Sequence, residues 1–561
     1  MDKLLILDFG SQTTQLIARR IRDLGVYTEI LPGDAPLPPG DPGLRGIVLS
    51  GSPESVYTPE GAVPDPAVYA CGLPLLGICY GLQRMTHDQG GLVEPLPKRE
   101  YGAVAVTVTG AAGEAASPQG ERIRNFLAGF DPALPLRAFT GGAPLPASPP
   151  PHVFTAWMSH GDTLTRLAPG FREYGRSATG YPAVVIHEQE PWFGLQFHPE
   201  VTHCERGPEI LAGFVFGVCR CKAEWSMEHY IEAVRSSLTE RVGRNPVLLL
   251  ISGGVDSTVA GALLLKTLDA DQVHLMYMDT GLMRKDETRT VKAALERLGA
   301  RHLHLIHCEA EFLGALRLLT DPEEKRKAIG DLFITIQERE LGRLGLPDSY
   351  FLAQGTLYTD LIESGKGVGK KAHVIKSHHN VGSPLVEAKR RGGRIIEPLD
   401  RLYKDEVRRL GRLLALDEAV VRRHPFPGPG LAVRIIGEVT REKCDILREA
   451  DAIFIEELKK RPAPGQQVDG PPVRSLYDDM WQAFAVLLPV RSVGVAGDVR
   501  KYGWVLALRA ITSVDGMTAD VYPFPPKDLL EISTLITNAV PEIGRVTYDI
   551  SSKPPATIEW E

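Results

Sequence analysis

Val247-Leu248-Leu249-Leu250-Ile251 runs into Ser252-Gly253-Gly254-Val255-Asp256-Ser257 and then into Thr258-Val259-Ala260-Gly261-Ala262-Leu263-Leu264. An apolar pentapeptide that stops at a turn reads as a strand buried on both faces, and the stretch after the turn reads as a helix. Strand, loop and helix in that order open a parallel α/β domain. The loop gathers backbone N–H groups and a helix N-terminus around one point, which suits a phosphate. It is not a Walker loop, which requires G-x4-G-K-[ST]. Asp256 would repel a phosphate unless Mg2+ lay between them, so Asp256 is the candidate metal ligand.

Downstream, residues 273–278, 303–307 and 350–353 read as further strands with helical segments between them, in parallel order. His424-Pro425-Phe426-Pro427-Gly428-Pro429-Gly430 is a rigid, non-helical crossing and the expected next boundary. Beyond it a helix at 441–460 and strands at 486–489, 504–510 and 546–550 give a smaller α+β domain; residues 461–473 are too rich in Pro and Gly for either and read as a flexible loop. Upstream, apolar runs at 4–7, 46–49, 73–78, 184–186 and 192–197 alternate with helical stretches and predict another α/β domain. Within it residues 110–151, rich in Gly, Ala and Pro, read as a mobile surface insertion with little core of its own. The expected organisation is therefore 1–220, 221–424 and 425–561: two successive α/β domains and a smaller α+β domain.

A chain of 561 residues exceeds one core and predicts about three domains. A net charge of -7 without long blocks of one sign gives no footprint for nucleic acid or an anionic membrane. No apolar run approaches the roughly 18 residues of a membrane span, and residues 1–8 read as a buried strand rather than a signal peptide, so a cytoplasmic protein is expected. Seven cysteines argue against a disulfide framework. Cys219-Arg220-Cys221, with His203 and Cys204 upstream, invites a metal reading, but C-x-C lacks the C-x2-C spacing of zinc sites and buried thiols are the expectation.

A second chemistry lies in Leu76-Gly77-Ile78-Cys79-Tyr80-Gly81. A strand entering G-x-C-x-G makes a nucleophile elbow: the flanking glycines tolerate the tight turn, and the cysteine sits at a helix N-terminus that favours thiolate. A thiol of ordinary pKa is only a few per cent ionised at neutral pH and needs a base. Gln196-Phe197-His198-Pro199-Glu200 supplies one, because His198 and Glu200 lie two apart on one side of an extended segment, where the carboxylate can orient an imidazole that reaches Cys79. Backbone N–H groups around Gly51, in Ser50-Gly51-Ser52-Pro53, are the candidate oxyanion hole.

On those residues the resemblances become specific. GICYGLQ (77–83) and QFHPEV (196–201) resemble the class I, or triad, glutamine amidotransferases. That likeness implies Cys79 as nucleophile, His198 as base and Glu200 as orienter in hydrolysing glutamine to glutamate and ammonia. Ser159-His160-Gly161-Asp162 resembles a segment near the family's substrate entrance, so His160 is left out of the triad. SGGVDS is similar to the loop of the N-type ATP pyrophosphatases, which implies ATP as co-substrate held by Ser252, Gly253, Gly254, Val255, Asp256, Ser257 and Thr258. An adenylate is a good acceptor for ammonia, but several such enzymes use other acceptors, NAD synthesis among them, so these two signatures leave the acceptor open. A non-catalytic, regulatory first domain is also compatible with the first signature taken alone.

Five downstream segments narrow the choice. DPEEKRK (321–327), AQGTLY (353–358), IKSHHN (375–380), HPFPGPGLAVR (424–434) and SKPPATIEWE (552–561) resemble the glutamine-hydrolysing GMP synthetase family, and the likeness runs essentially end to end. It implies adenylation of xanthosine 5'-monophosphate (XMP) at O2 and attack of ammonia on C2, giving GMP, AMP and pyrophosphate. It points to Arg326, Gln482, Asp498, Lys553 and Glu559 as XMP contacts, to Lys376 on a lid that reaches the ATP phosphates, less firmly to His378 and His379, to an ordered terminal segment, and to a homodimer through the C-terminal domain. Three departures stand out: the 110–151 and 461–473 segments are longer than the family core requires, and Tyr358-Thr359-Asp360 has Thr where Pro is common.

Overall fold

Nine strands among the described residues form the first sheet: β1 (Lys3–Asp8), β2 (Tyr27–Pro32), β3 (Leu44–Leu49), β4 (Leu75–Ile78), β5 (Leu92–Val108), β6 (His152–Arg166), β7 (Phe171–Ser177), β8 (Pro182–His187) and β9 (Trp192–Leu195). The computed structural model describes the chain except residues 60, 110–116, 141–151, 364–383, 466–473, 497–498 and 514–517. Two units result, Met1–Tyr230 with Ile362–Ile375, and Ile231–Leu361 with Lys376–Glu561. Among the described residues no helix is long and apolar enough to cross a membrane.

In the first unit the strand order is β2-β1-β3-β4-β9-β8-β7-β5-β6. From β2 to β9 the pairs are parallel; from β9 to β6 they are antiparallel. Strands β3, β4 and β9 are short and almost wholly buried, as parallel strands covered on both faces must be. Their parallel pairing brings the loops after Leu49, Ile78 and Leu195 to one edge of the sheet, where open α/β sheets bind ligands.

The excursion expected to carry little core of its own does the reverse over residues 117–140. It connects β5 to β6, which pair along most of their length, and it forms helices at Pro118–Leu127 and Arg137–Thr140. Ile123, Phe126, Leu127, Phe130 and Phe139 are buried. The Phe126 ring lies 4.8 Å from that of Phe193 on β9, so this helix covers the strand that leads to His198. A local signal was present and outvoted by composition: Ser117 caps the helix, its Oγ accepting from Gly120 N at 3.0 Å, with Pro118 at the first helical position.

The second unit contains a parallel sheet of β10 (Val247–Ile251), β11 (Val273–Asp279), β12 (His302–His307), β13 (Phe351–Ala353) and β14 (Ile395–Ile396), in the order β12-β11-β10-β13-β14. The chain leaves β10 first toward β11 and later returns to its other side, so the loop after Ile251 occupies the topological switch point. A smaller sheet holds β15 (Gln482–Ala496), β16 (Val499–Thr512), β17 (Asp520–Val521) and β18 (Ile543–Tyr548), backed by the helix Arg441–Lys460 at its expected bounds. One buried cluster includes Leu248 and Met276 of the parallel sheet, Leu431 and Ile435 beyond the prolines, and Phe454, Leu506 and Leu508. The proline-rich segment thus turns the chain without separating two cores.

Phe126→Ala should destabilise the first unit by about 3–5 kcal/mol, the usual cost of truncating a buried phenylalanine. Urea unfolding read at this unit's tryptophans checks it; a change below about 1 kcal/mol would mean the helix is not part of the core.

Candidate active sites

At the sheet edge of the first unit, β4 leads straight into Cys79, whose backbone sits at φ 53°, ψ -107°, and the helix Tyr80–Asp88 starts at once. Positive φ is strained for a residue with a side chain. The cysteine itself therefore takes the strain that the sequence assigns to its glycines. Gly77 and Gly81 are needed for close approach: a Cβ on Gly77 would lie 2.6 Å from Leu82 N, and one on Gly81 would lie 2.2 Å from Leu49 O. Cys79 N donates to Leu195 O at 2.7 Å, locking the elbow to β9.

His198 Nδ1 lies 2.8 Å from Glu200 Oε1, and both side chains are buried. Burial alone would lower the His198 pKa, but the Glu200 carboxylate and a hydrogen bond with Cys79 outweigh it and hold the imidazole well above its ordinary value. The backbone fixes this pair from two sides, His198 N donating to Trp157 O at 3.0 Å and Arg20 Nε to Glu200 O at 3.0 Å. Gly51 stands beside the imidazole, where an added Cβ would be 3.4 Å from His198 Cε1. Cys79, His198, Glu200 and Gly51 are thus brought together as expected.

The sequence reading missed the polar groups around the sulfur. Gln196 Nε2 approaches Cys79 Sγ at 3.9 Å, and Gln83 Nε2 donates to Asp162 O at 2.7 Å and to Gln196 Oε1 at 3.4 Å. Both glutamines are buried, which a residue type usually found on the surface does not announce. His160 belongs to a different pair: its Nε2 is 2.9 Å from Glu100 Oε2, across the β5–β6 ladder. Burial pulls its pKa below the ordinary value against the Glu100 charge. Cys219 and Cys221 are buried thiols, Cys219 pushed upward by burial and by its contact with Cys221.

In the second unit the loop after β10 is closed by its own hydroxyls. Ser252 N donates to Ser257 Oγ at 3.2 Å, and Thr258 Oγ1 donates to Gly254 O at 2.8 Å. Gly253 has φ +77°, a conformation that glycine adopts without strain, and Gly254 precedes the helix Val255–Thr267. Asp256 lies in the first helical turn. Its Oδ2 is 2.5 Å from Lys404 Nζ, and its buried Oδ1 has no hydrogen-bond partner among the described residues. Lys404 begins the helix Lys404–Leu413 and was not singled out in the sequence. Lys376, His378, His379 and Asp498 lie outside the described residues.

The remaining candidates gather around the segment 551–561. Gln482 Nε2 donates to Glu559 Oε1 at 2.8 Å and to Pro425 O at 3.1 Å. Glu559 also receives both arms of Arg434, at 2.8 and 3.0 Å, and that guanidinium is fully buried over the rings of Phe484 and Phe426. Arg326 Nη2 donates to Glu561 O at 2.7 Å, while its neighbour Lys325, fully buried, reaches Glu561 Oε2 at 2.5 Å. In a run of three cations only the helix phase decides which one turns inward. Lys553 lies on the same segment, its backbone paired with Ala519. Arg509, buried, donates to Ile558 O, Thr557 O and Ser551 O and pairs with Asp549, so the segment is ordered as expected.

His424 links the two regions of this unit. Its N donates to Tyr477 Oη at 3.0 Å, its Nδ1 accepts from Ala483 N at 3.1 Å, and its ring stacks on Tyr477 at 3.7 Å. Burial and nearby cations push its pKa down to about 3.

The architecture and the two signatures define a class I glutamine amidotransferase joined to an ATP pyrophosphatase. The family profile for class-I glutamine amidotransferases matches residues 5–218, that for NAD synthase matches 226–311, and that for the GMP synthase C terminal domain matches 473–560. Glutamine-hydrolysing GMP synthases from Alkalilimnicola ehrlichii and Aquifex aeolicus are each 44% identical, over 566 and 561 residues; the match covers 100% of this chain and 98% and 99% of theirs. One from Xylella fastidiosa is 45% identical over 561 residues, again covering 100% of this chain and 99% of its own. The chain belongs to the glutamine-hydrolysing GMP synthase family, and is a carbon–nitrogen ligase of that family.

His424 makes the second unit sensitive to acid. Its folded pKa lies below the unfolded value near 6.5, so below pH 6.5 the unfolded chain binds a proton that the native one refuses, and stability falls as pH drops toward 3. The contribution is at most about 1.4 kcal/mol per pH unit. His424→Asn should be less stable at pH 7 but show a flatter loss of stability between pH 6.5 and 4. Equal slopes for variant and parent in denaturant titrations would show that His424 does not titrate in this way.

Proposed function

We propose that this chain aminates XMP to GMP through an O2-adenylyl-XMP intermediate, with ammonia drawn from glutamine. The supporting observation is a conjunction. One chain matched over its full length by this family brings Cys79, His198 and Glu200 together in its first unit, and in its second a phosphate loop and the Glu559 cluster.

In the first unit His198 takes the thiol proton and Cys79 attacks the side-chain carbonyl of glutamine. Backbone N–H groups at Gly51 face the oxyanion, and the proton passes to the departing ammonia. Water then attacks the thioester, His198 accepting its proton and returning it to the sulfur as glutamate leaves. Glu200 keeps the imidazole oriented and favours its charged form.

In the second unit Ser252, Gly253, Gly254, Val255, Ser257 and Thr258 hold the ATP phosphates, assisted by Lys376. O2 of XMP attacks the α-phosphorus and pyrophosphate leaves; ammonia attacks C2 and AMP leaves. Arg326, Gln482, Asp498, Lys553 and Glu559 hold the XMP. The Oδ1 of Asp256, unpartnered among the described residues, fits a Mg2+ ion, whose charge would offset that of the phosphates. We assign domains to 1–220, 221–424 and 425–561, the last two sharing one buried cluster, with homodimerisation through the last and a cytoplasmic setting.

Cys79→Ala should abolish GMP formation with glutamine and preserve it with ammonium; retained glutamine use would remove Cys79 from the role. XMP-dependent conversion of ATP to AMP and pyrophosphate tests the acceptor, and no response to XMP would overturn it. Glu200→Gln removes the charge that raises His198, so the imidazole limb of the glutaminase pH profile should move to lower pH and kcat should fall at least about 100-fold. An unshifted limb would exclude Glu200 as the partner that sets it.

A further inference from the structure

Arg423 stands directly behind the phosphate loop. Its Nη1 donates to Gly253 O at 2.5 Å, and its Nη2 is paired with Glu287 Oε1. The Glu287 side chain is 4% exposed and that of Arg423 16%, so the pair is largely shielded from solvent. Glu287 is fixed in turn, its Oε2 accepting from Arg284 N at 3.2 Å, and its Oε1 lies 3.0 Å from where a Cβ on Gly253 would be.

A peptide unit is planar, with its C=O and N–H pointing opposite ways. Holding the Gly253 carbonyl against Arg423 therefore aims the Gly254 N–H away from Arg423, where it donates to Ser252 Oγ at 3.3 Å. Were this peptide to flip, that bond to Ser252 would be lost and the loop whose backbone N–H groups would cradle an anion would change shape. Arg423 also immediately precedes the HPFPGPG segment. Two residues on, Pro425 O accepts from Gln482, which holds Glu559, and the next residue, Phe426, has its ring 5.8 Å from the Arg423 guanidinium. His424, between them, is tied to Tyr477 and Ala483. The span from Gly253 to Glu559 is thus bridged by consecutive, fixed residues.

We propose that Arg423 is a positioning residue: it holds the phosphate loop in its anion-binding shape and ties it to the Gln482–Glu559 cluster. This rests on the reading of the loop as the ATP site and the cluster as the acceptor site. It adds that their mutual register depends on one guanidinium fork, whose two arms reach a carbonyl and a carboxylate at once, which a lysine cannot reproduce.

The test measures XMP-dependent AMP formation by the full chain with ammonium as nitrogen source, together with the ATP-induced shift in thermal midpoint. In Arg423→Gln the KM for ATP should rise about 10-fold or more and kcat fall by a similar factor, with the ATP-induced shift lost. Arg423→Lys should recover only part of both. Glu287→Gln combined with Arg423→Gln should cost little more than Arg423→Gln alone, because the two act as a unit. Values of KM and kcat within twofold of the parent in either Arg423 variant would overturn the proposal. So would a loss confined to the fraction of folded protein, with KM for ATP and the ATP-induced shift unchanged. If the parent itself forms no AMP in response to XMP, it is the underlying acceptor reading that fails, and the proposal with it.

Discussion

Parallel strand pairing is the constraint on which both sites depend. Parallel neighbours all end at the same edge, so whatever follows each strand is delivered to one place however far apart the segments lie in sequence. In the first unit β3, β4 and β9 deliver Gly51, Cys79 and His198, the last more than a hundred residues beyond the second. In the second unit the switch of direction at β10 leaves a crevice at its carboxyl end, and the glycine-rich loop fills it. The crevice arises from the order of strands; the chemistry is set by the residues that happen to follow them.

Each site also holds groups in states that an isolated chain would not adopt. Cys79 keeps a positive φ, its N–H bonded to Leu195 O and flanked by Gly77 and Gly81, whose lack of side chains lets β3 and the helix close in. In the second unit Arg434, Arg509 and Lys325 are removed from water altogether. A buried cation is tolerable only when paired and hydrogen-bonded. Their partners are carboxylates and carbonyls drawn largely from residues 549–561. The desolvation of three cations thus orders a segment that would otherwise fray, and brings Glu559 to Gln482.

The readable parts of the molecule were those with local signatures. G-x-C-x-G, H-x-E and SGGVDS each confine their chemistry to a few consecutive residues, and the strands leading into them are short apolar runs. The helix 441–460 was read at its observed bounds, and the structure adds its cap, Thr440 Oγ1 accepting from Lys443 N. Composition misled where it overrode capping, as at Ser117-Pro118. HPFPGPG, read as the next boundary, is crossed by one buried cluster that holds residues from both sides of it. Gln83 and Gln196 end and begin quoted motifs, yet their roles, like those of Lys404 and Arg423, come from partners 79 to 170 positions away.

By itself, the sequence determined the α/β class, the elbow and the phosphate loop, because these depend on neighbouring residues and on backbone geometry that glycine and apolar runs dictate locally. Tertiary structure decided which polar side chains are buried and with whom: Lys325 rather than Arg326 turned fully inward, His160 paired with Glu100, and Lys404 set on Asp256. The physical reason is that burial and ion pairing depend on distances through space, fixed only when strand order and helix phase have been set by packing.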